Sequence, residues 1–474
     1  MSNTSQASQR ITALLDDNSF VEIGAKVTAR ATDFNLKQTP TPSDGVITGY
    51  GVIDGNPVYV YSQDASVLGG SVGEMHAKKI VNLYDLALKT GAPVIGLIDS
   101  AGLRLQESTD ALNGFGEIYR KQAQASGVIP QITAVFGNCG GGLALISGLT
   151  DFTFMESTKA KLFVNSPNAI QENYTEKCDT ASAAFQSESG LVDFVGEEGE
   201  ILANIRSLIG MLPGNNEEND AFEECTDDLN RVNPEIAGCT GDTSLALSLL
   251  ADSQNFVEVK SAHAKNMVTG FLRLNGATVG AVANRSEIYD EDGKAEKLDS
   301  ALTADGCEKA ADFVSFCDAF DIPVLSLTNV KGYAACKCSE KRIARAAAKL
   351  AYAFASATVP KVNVIIGDAL GSAYTVMNSK ALGADITCAW SNAQIGAMDA
   401  KLAAKIICDG QDAAAQEACA AQYAALQASA ESAAQRGYVD QIIEAADTRK
   451  YVIGAFEMLF TKREEAPSRK HGTV

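Results

Sequence analysis

The stretches able to do chemistry in this chain are built from glycine and other small residues. The first is Gly137-Asn138-Cys139-Gly140-Gly141-Gly142, which closes the apolar run Val128–Phe136 and gives way to a second apolar segment at Leu143. A β-branched run that ends in glycines and restarts with helical character reads as strand, tight turn, helix N-terminus. Glycine lets backbone amides approach a ligand closely, and the first amides of a helix have no acceptor within it. Such a turn can hold a phosphate, or the oxyanion that develops in acyl chemistry. The same pattern also serves a plain strand-to-helix turn that needs glycine only for packing.

A second copy follows: Val362–Gly367 runs into Asp368-Ala369-Leu370-Gly371-Ser372-Ala373. Pro130 and Pro360, Gly137 and Gly367, and Gly141 and Gly371 are each 230 residues apart (360 − 130, 367 − 137, 371 − 141). Another glycine cluster, Gly69-Gly70-Ser71-Val72-Gly73, precedes a helix expected over Glu74–Thr90. It is no Walker A loop, because no Gly-Lys-Ser/Thr follows, and no GxGxxG opens the first βα unit. A Ser-His-Asp triad is not supported, and His76 and His263 read as structural, without an evident nucleophile beside them.

These stretches need strands and helices to place them, and the chain supplies them twice. Gly91–Asp99 matches Asp321–Asn329. Thr48-Gly49-Tyr50 with Asp54-Gly55 matches Thr269-Gly270-Phe271 with Asn275-Gly276, and Phe20–Ile23 matches Phe256–Val259. Matched blocks in one order identify an internal duplication. Asp54-Gly55 between β-rich runs predicts a hairpin. Strand Pro93–Asp99, a loop over Ser100–Glu107, a helix from about Gly114 to Ser126 and the strand before Gly137 imply parallel pairing. An acidic, turn-rich stretch from Met211 to Pro234 reads as the linker between halves 1–232 and 233–474. An alanine-rich segment, Ala413–Gln435, reads as one helix.

Composition limits the function. The chain has 474 residues, 46% hydrophobic and 21% charged, as in a globular protein. A net charge of −20 disfavours a general nucleic-acid or anionic-membrane surface. The 11 cysteines form no CxxC pair, and Cys336-Lys337-Cys338 is the one close pairing. With 3 histidines they make no metal set, and they read as reduced cytosolic thiols. No apolar run reaches the ~18 residues of a membrane span, and a cytoplasmic location is expected.

The chain resembles the carboxyltransferase subunits of biotin-dependent acyl-CoA carboxylases and decarboxylases, the family of the propionyl-CoA carboxylase β and methylmalonyl-CoA decarboxylase α subunits. The likeness runs from Arg10-Ile11 to Lys470-His471-Gly472. It rests on blocks such as Ser62-Gln63-Asp64 with Gly69-Gly70-Ser71, Asp99-Ser100-Ala101-Gly102 with Arg104, Ser126–Ile132, Leu149–Met155, Phe316–Phe320, Ala357–Val362 and Arg436–Asp440.

The resemblance implies an α/β protein of two tandem crotonase-like domains. It implies acyl-CoA on the N-terminal half and carboxybiotin, carried on a separate protein, on the C-terminal half of a partner subunit. Gly141 and Gly142 would then bind the thioester enolate oxygen. Gly371, Ser372 and Ala373 would bind the biotin ureido oxygen. Gly69, Gly70, Ser71, Ser100, Ala101, Gly102, Arg104, Gly332, Tyr333 and Tyr374 would line the CoA and biotin sites. The nitrogen left when carboxybiotin releases CO2 would take the α-proton, so no side-chain base is required.

The implied partners are a biotin carboxyl carrier protein, a biotin carboxylase or membrane decarboxylase subunit, and further copies in a homodimer-based hexamer. Departures from the family pattern fall at Thr375, at Asp193 and along Lys331–Cys338. The subunit of a sodium-pumping decarboxylase, a non-catalytic scaffold of the same fold and a crotonase-type hydratase are the alternatives to a carboxylase component.

Overall fold

A computed structural model of the chain describes residues 5–32, 34, 40–174, 178–218, 221–289, 293–464, 467–468 and 472–474. They fall into two compact units, Met1–Ala221 and Phe222–Val474.

In the first unit the strands are β1 (Val21–Ile23), β2 (Val46–Ile53), β3 (Asn56–Gln63), β4 (Val94–Ser100), β5 (Gln131–Gly140), β6 (Phe152–Glu156), β7 (Lys161–Phe163) and β8 (Phe194–Gly196). They form one sheet in the order β1-β2-β3-β4-β5-β6-β8, with β7 on the far end of β5. The β2–β3 hairpin turns at Asp54 (φ 50°) and Gly55 (φ 86°), both left-handed as a type I′ turn demands. From β3 onward the pairing is parallel. The helices are α1 (Gln6–Leu14), α2 (Glu74–Thr90), α3 (Ser108–Ala125), α4 (Ala144–Leu149), α5 (Ala183–Glu188) and α6 (Glu198–Met211). Ile80, Leu83 and Tyr84 of α2 and Ile118 of α3 bury against Ile98 and Val135 of the sheet.

The second unit repeats this plan. Its strands are β9 (Phe256–Val259), β10 (Met267–Leu274), β11 (Ala277–Asn284), a small hairpin of β12 (Glu287–Tyr289) and β13 (Ala295–Lys297), β14 (Val324–Val330), β15 (Lys361–Leu370), β16 (Ile386–Trp390), β17 (Gln394–Gly396) and β18 (Gln441–Ile443). The sheet order is β18-β16-β15-β14-β11-β10-β9, with β17 on β15. Its helices are α7 (Thr243–Leu250), α8 (Ala304–Ala319), α9 (Lys337–Glu340), α10 (Ile343–Ser356), α11 (Gly371–Val376), α12 (Ala400–Ile407), α13 (Ala413–Gln427), α14 (Ala430–Gln435) and α15 (Thr448–Leu459).

The duplication holds residue by residue. Ile23 faces Thr48 and Val259 faces Thr269. The β4–β5 register slips between Ile98 and Ser100, and the β14–β15 register slips between Thr328 and Val330. At each slip a polar side chain lies on a glycine. A Cβ on Gly137 would overlap the carboxylate of Asp99, and one on Gly367 would lie 2.6 Å from Asn329 Oδ1.

Several expectations need correction. The segment read as a linker is divided between the units. Asn215 donates to the Gly91 carbonyl at 3.0 Å, while Glu223 N–H donates to Gly276 O and Arg231 to Leu249 O, each at 3.0 Å. Residues 222–232 therefore pack with the second unit; Asn219 and Asp220 lie outside the described residues, as do Lys470 and His471. Helix α3 begins at Ser108, not Gly114. The alanine-rich segment is two helices, because the Ala428 carbonyl accepts from Ile395 N–H at 3.0 Å and Ser429 caps α14. Cys408 and Cys419 are joined as a disulfide clasping α12 to α13, so the reading of all cysteines as free thiols fails at this pair.

At the starting ends of β5 and β6 two carboxylates share a buried pocket. Asp151 accepts from Gln131 N–H at 2.7 Å, and Asp193 accepts from Thr153 N–H at 2.6 Å. Asp151 as a residue is half-buried, but its carboxyl is enclosed; desolvation, with Asp193 adding to it, pushes it up to about 7. The folded state thus binds a proton that the unfolded chain, with a pKa near ~3.9, releases earlier. Stability from this group is full below pH ~4 and is lost as pH rises toward 7. Asp151→Asn should remove that slope. Melting curves at pH 5 and pH 8 should show wild type losing more stability than the variant, and equal losses would refute the assignment.

Candidate active site

In the first unit the glycine stretches converge at the carboxyl ends of β3, β4 and β5, where ligands bind in open α/β sheets. Ala101 N–H donates to Gly69 O at 2.8 Å, Ser100 Oγ to Gly70 O at 2.7 Å, Val72 N–H to Gly102 O at 2.8 Å and Arg104 N–H to Val72 O at 3.0 Å. Gly70 takes φ 64°, and a Cβ there would run into the Asp99 carbonyl. Gly102 (φ 92°) sits against the Gly140 carbonyl, so the zipped loops border the turn directly. Gly141 takes φ 64°, and Gly142 is exposed at the head of the helical turn leading into α4. The amides of such a first turn have no acceptor inside the helix. The Tyr119 hydroxyl donates to the Gly142 carbonyl, fixing the peptide plane on the far side of that residue.

Two buried ion pairs set this rim. Arg104 Nη1 reaches Asp44 Oδ1 at 2.7 Å and Glu107 Oε1 at 2.9 Å, and Nη2 donates to Ser71 O at 2.7 Å. The Asp44 and Glu107 side chains are 0% exposed. Burial still pushes the Asp44 carboxyl above its usual value, with the Arg104 charge opposing it. His76 lies beneath, with Nδ1 3.0 Å from Asp44 O and Nε2 3.2 Å from Gln63 Nε2. The geometry assigns the proton to Nδ1, and burial lowers the imidazole pKa to about 3, so His76 is a neutral structural residue. Arg104, expected among the ligand-binding residues, has its charge committed to the scaffold.

Beside the turn, β7 pairs Phe163 with Gly140, and the Phe163 ring fills the space a Gly140 side chain would need. A cavity of about 770 Å³ opens there, lined by Lys161, Phe163, Pro167, Ile170 and Cys178.

The second unit builds the equivalent rim differently. Leu302 N–H donates to Gly332 O at 2.9 Å and Ala334 N–H to Leu302 O at 2.9 Å. The Leu302–Tyr333 bridge matches the Val72–Leu103 bridge. Gly371 takes φ 65° and starts α11, Ser372 is exposed and Ala373 is buried. The Tyr333 phenol lies beside the Ser372 side chain, and burial raises its pKa. Tyr374 is half-buried on Ile365, Ala369 and Ile395 and supports the turn from below. A 440 Å³ cleft lined by Tyr333, Ile343, Ala347, Ala351 and Val376 adjoins it.

The carboxyl transferase domain model matches residues 3–474. The chain belongs to the carboxyl transferase family. It is the carboxyltransferase component of a biotin-dependent acyl-CoA carboxylase or decarboxylase. It is 40% identical over 494 residues to the propionyl-CoA carboxylase beta chain of Roseobacter denitrificans, covering 99% of this chain and 93% of that one. Against the methylmalonyl-CoA decarboxylase subunit alpha of Propionigenium modestum it is 38% identical, covering 99% and 92%. The crystal structure of transcarboxylase 12S, a hexamer assembly with methylmalonyl-coenzyme A and methylmalonic acid bound, superposes with a TM-score of 0.92 at 36% identity, over 98% of this chain and 92% of that one. The two sheets are thus the tandem crotonase-like halves of this carboxyltransferase fold.

The structure gathers the expected residues of each half at one rim. Sequence reasoning missed Asp44, Glu107 and Tyr119. Asp44 lies in a polar loop and Tyr119 on an amphipathic helix, and no spacing announces either as a partner of the turn. Replacing Arg104 with Met should strand two buried carboxylates and cost about 3–5 kcal/mol. Chemical denaturation of the variant would show this, and a loss under 1 kcal/mol would count against the network. Tyr119→Phe should lower kcat by roughly 3–10-fold, the worth of one hydrogen bond of about 1 kcal/mol, with little change in KM. Steady-state kinetics decides it.

Proposed function

We propose that this carboxyltransferase moves a carboxyl group between carboxybiotin, presented by a separate carrier protein, and a short-chain acyl-CoA, either the propionyl-CoA/methylmalonyl-CoA or the acetyl-CoA/malonyl-CoA pair. The observation that carries this reading is the paired turn: two helix starts, each led by a glycine at φ near 65°, at equivalent ends of two equivalent sheets.

In this reading the Gly141 and Gly142 amides face the thioester oxygen, where enolate charge gathers. The Gly371, Ser372 and Ala373 amides face the ureido oxygen. A preorganised donor of this kind contributes about 2.7–4 kcal/mol in other enzymes. The residues present suit biotin: first-turn amides for its polar edge, beside a cleft walled by Ala347, Ala351, Ile343 and Val376 for its apolar edge. When bound, carboxybiotin supplies the carboxyl group. This chain's residues hold the two oxygens and orient the thioester through the Gly69–Ser71 and Ser100–Gly102 loops, with Arg104 acting as a positioning residue.

The partners in this reading are the carrier protein, a biotin carboxylase or membrane decarboxylase subunit, and further copies of the chain in a homodimer-based hexamer. Support for self-assembly comes from α12, whose Leu402, Ile406 and Ile407 are 54%, 67% and 63% exposed. Apolar side chains this exposed along one short helix are the mark of a covered surface. Among the described residues no helix is long and apolar enough to cross a membrane, so contact with a membrane decarboxylase subunit would be peripheral.

The direct test is decarboxylation of malonyl-CoA and methylmalonyl-CoA with free biotin as acceptor, comparing wild type with Gly142→Pro, which deletes one amide donor. Biotin-dependent turnover that falls by two to three orders of magnitude in the variant, with CoA binding retained, is expected. The better substrate identifies the acyl group. Turnover unaffected by the variant would remove Gly142 from the reaction, and no turnover from a folded, CoA-binding oligomer would favour the scaffold reading.

A further inference from the structure

The Cys336-Lys337-Cys338 pair is left without a role by the carboxyl-transfer reading. Both thiols are exposed. They stand two residues apart with side chains close enough to interact, and Cys336 Sγ accepts from Ser339 N–H at 3.3 Å, capping α9. The segment stands between two residues that line the 440 Å³ cleft, Tyr333 before it and Glu340 after it. Tyr333 in turn lies beside Ser372 of the second turn. We propose that Cys336 and Cys338 are a dithiol modification site, which a peroxide oxidises to a disulfide, and that this bond reshapes the biotin-side cleft. The second half of the statement rests on the functional reading above; the first does not.

The chemistry needs both thiols and one two-electron oxidant. Thiolate is the reacting form, and the neighbouring Cys338 side chain and the Ser339 N–H lower the Cys336 thiol below its usual value. Cys336 attacks the peroxide oxygen: an S–O bond forms, the O–O bond breaks, and the departing hydroxide is protonated to water. Cys338 then attacks the sulfenic sulfur: an S–S bond forms, the S–O bond breaks, and a second water leaves. Net, two thiols and one hydrogen peroxide give a disulfide and two waters. A dithiol reductant reverses it by exchange.

Closing the bond draws the sulfurs to about 2.05 Å and turns Cys336 away from Ser339. Helix α9 loses its cap, and the segment joining Tyr333 to Glu340 shortens. The cleft wall and the Tyr333–Ser372 contact move together. The Gly141–Gly142 rim belongs to the other unit, so the effect is expected on biotin rather than on the thioester.

The test uses the full-length oligomer in a hydrogen peroxide titration, read by mass spectrometry of the peptide holding both cysteines and by KM for free biotin and for the acyl-CoA. Expected are loss of two hydrogens from that peptide before exposed Cys178 is modified, and a several-fold rise in biotin KM with acyl-CoA KM constant. Dithiothreitol should reverse both. Cys336→Ser/Cys338→Ser should keep reduced wild-type activity and lose the response. Cys338→Ser should stop at a sulfenic acid that dimedone traps. No intramolecular disulfide, or a biotin response that persists in the double variant, would overturn the proposal. The mass readout needs no turnover, so failure of the site is distinguishable from failure of the carboxyl-transfer reading, which would appear as no activity in fully reduced enzyme.

Discussion

Both halves depend on one steric constraint: a strand backbone lying directly on a polar side chain of its neighbour. Asp99 sits where a Gly137 side chain would be, and Asn329 where one on Gly367 would be. Only glycine permits the approach. The approach coincides with the slip in parallel register at Ser100 and at Val330, which lets β5 and β15 run on past their partners. The extra length carries β7 and β17 on its edge and delivers a helix start at Gly141 and at Gly371. Without room for that overlap there is no turn in which to collect amides.

The halves diverge in what stands behind the turn. The first is braced by charge, with Arg104, Asp44 and Glu107 locked out of solvent. The second is braced by packing, with Tyr374 on Ile365, Ala369 and Ile395, and by the Tyr333–Ser372 contact. A buried ion network holds its geometry because each partner is costly to strand. A packed tyrosine tolerates small shifts at little cost. The same duplicated frame therefore carries one stiff rim and one adaptable rim.

Much of this was legible in the sequence. The constant spacing of 230 between Pro130 and Pro360 and between Gly141 and Gly371 is the same spacing that relates the two register slips. Asp54-Gly55 gave its hairpin because left-handed backbone leaves few alternatives. What escaped depended on three-dimensional neighbours. The resemblance put Arg104 among the residues lining the CoA and biotin sites, and only the fold shows that Asp44, 60 residues earlier, takes up its charge. The alanine-rich segment reads as one helix by propensity, and breaks at Ala428 because β17 needs that carbonyl. Pairing of Cys408 with Cys419 follows from two helices folding back on one another, which spacing alone does not reveal.

The α12–α13 arm leaves the sheet within a few residues of Gly371. A Cβ on Gly371 would sit 3.4 Å from the Ala397 carbonyl, Gly396 lies against Ala428 at the arm's return, and the disulfide clamps its two helices into one piece. An apolar face on a lever with so short a fulcrum would turn whatever packs on Leu402, Ile406 and Ile407 into a mechanical load on the turn. In the proposed assembly, quaternary contact and amide placement would be one variable, and dilution of the enzyme a way of detuning its chemistry.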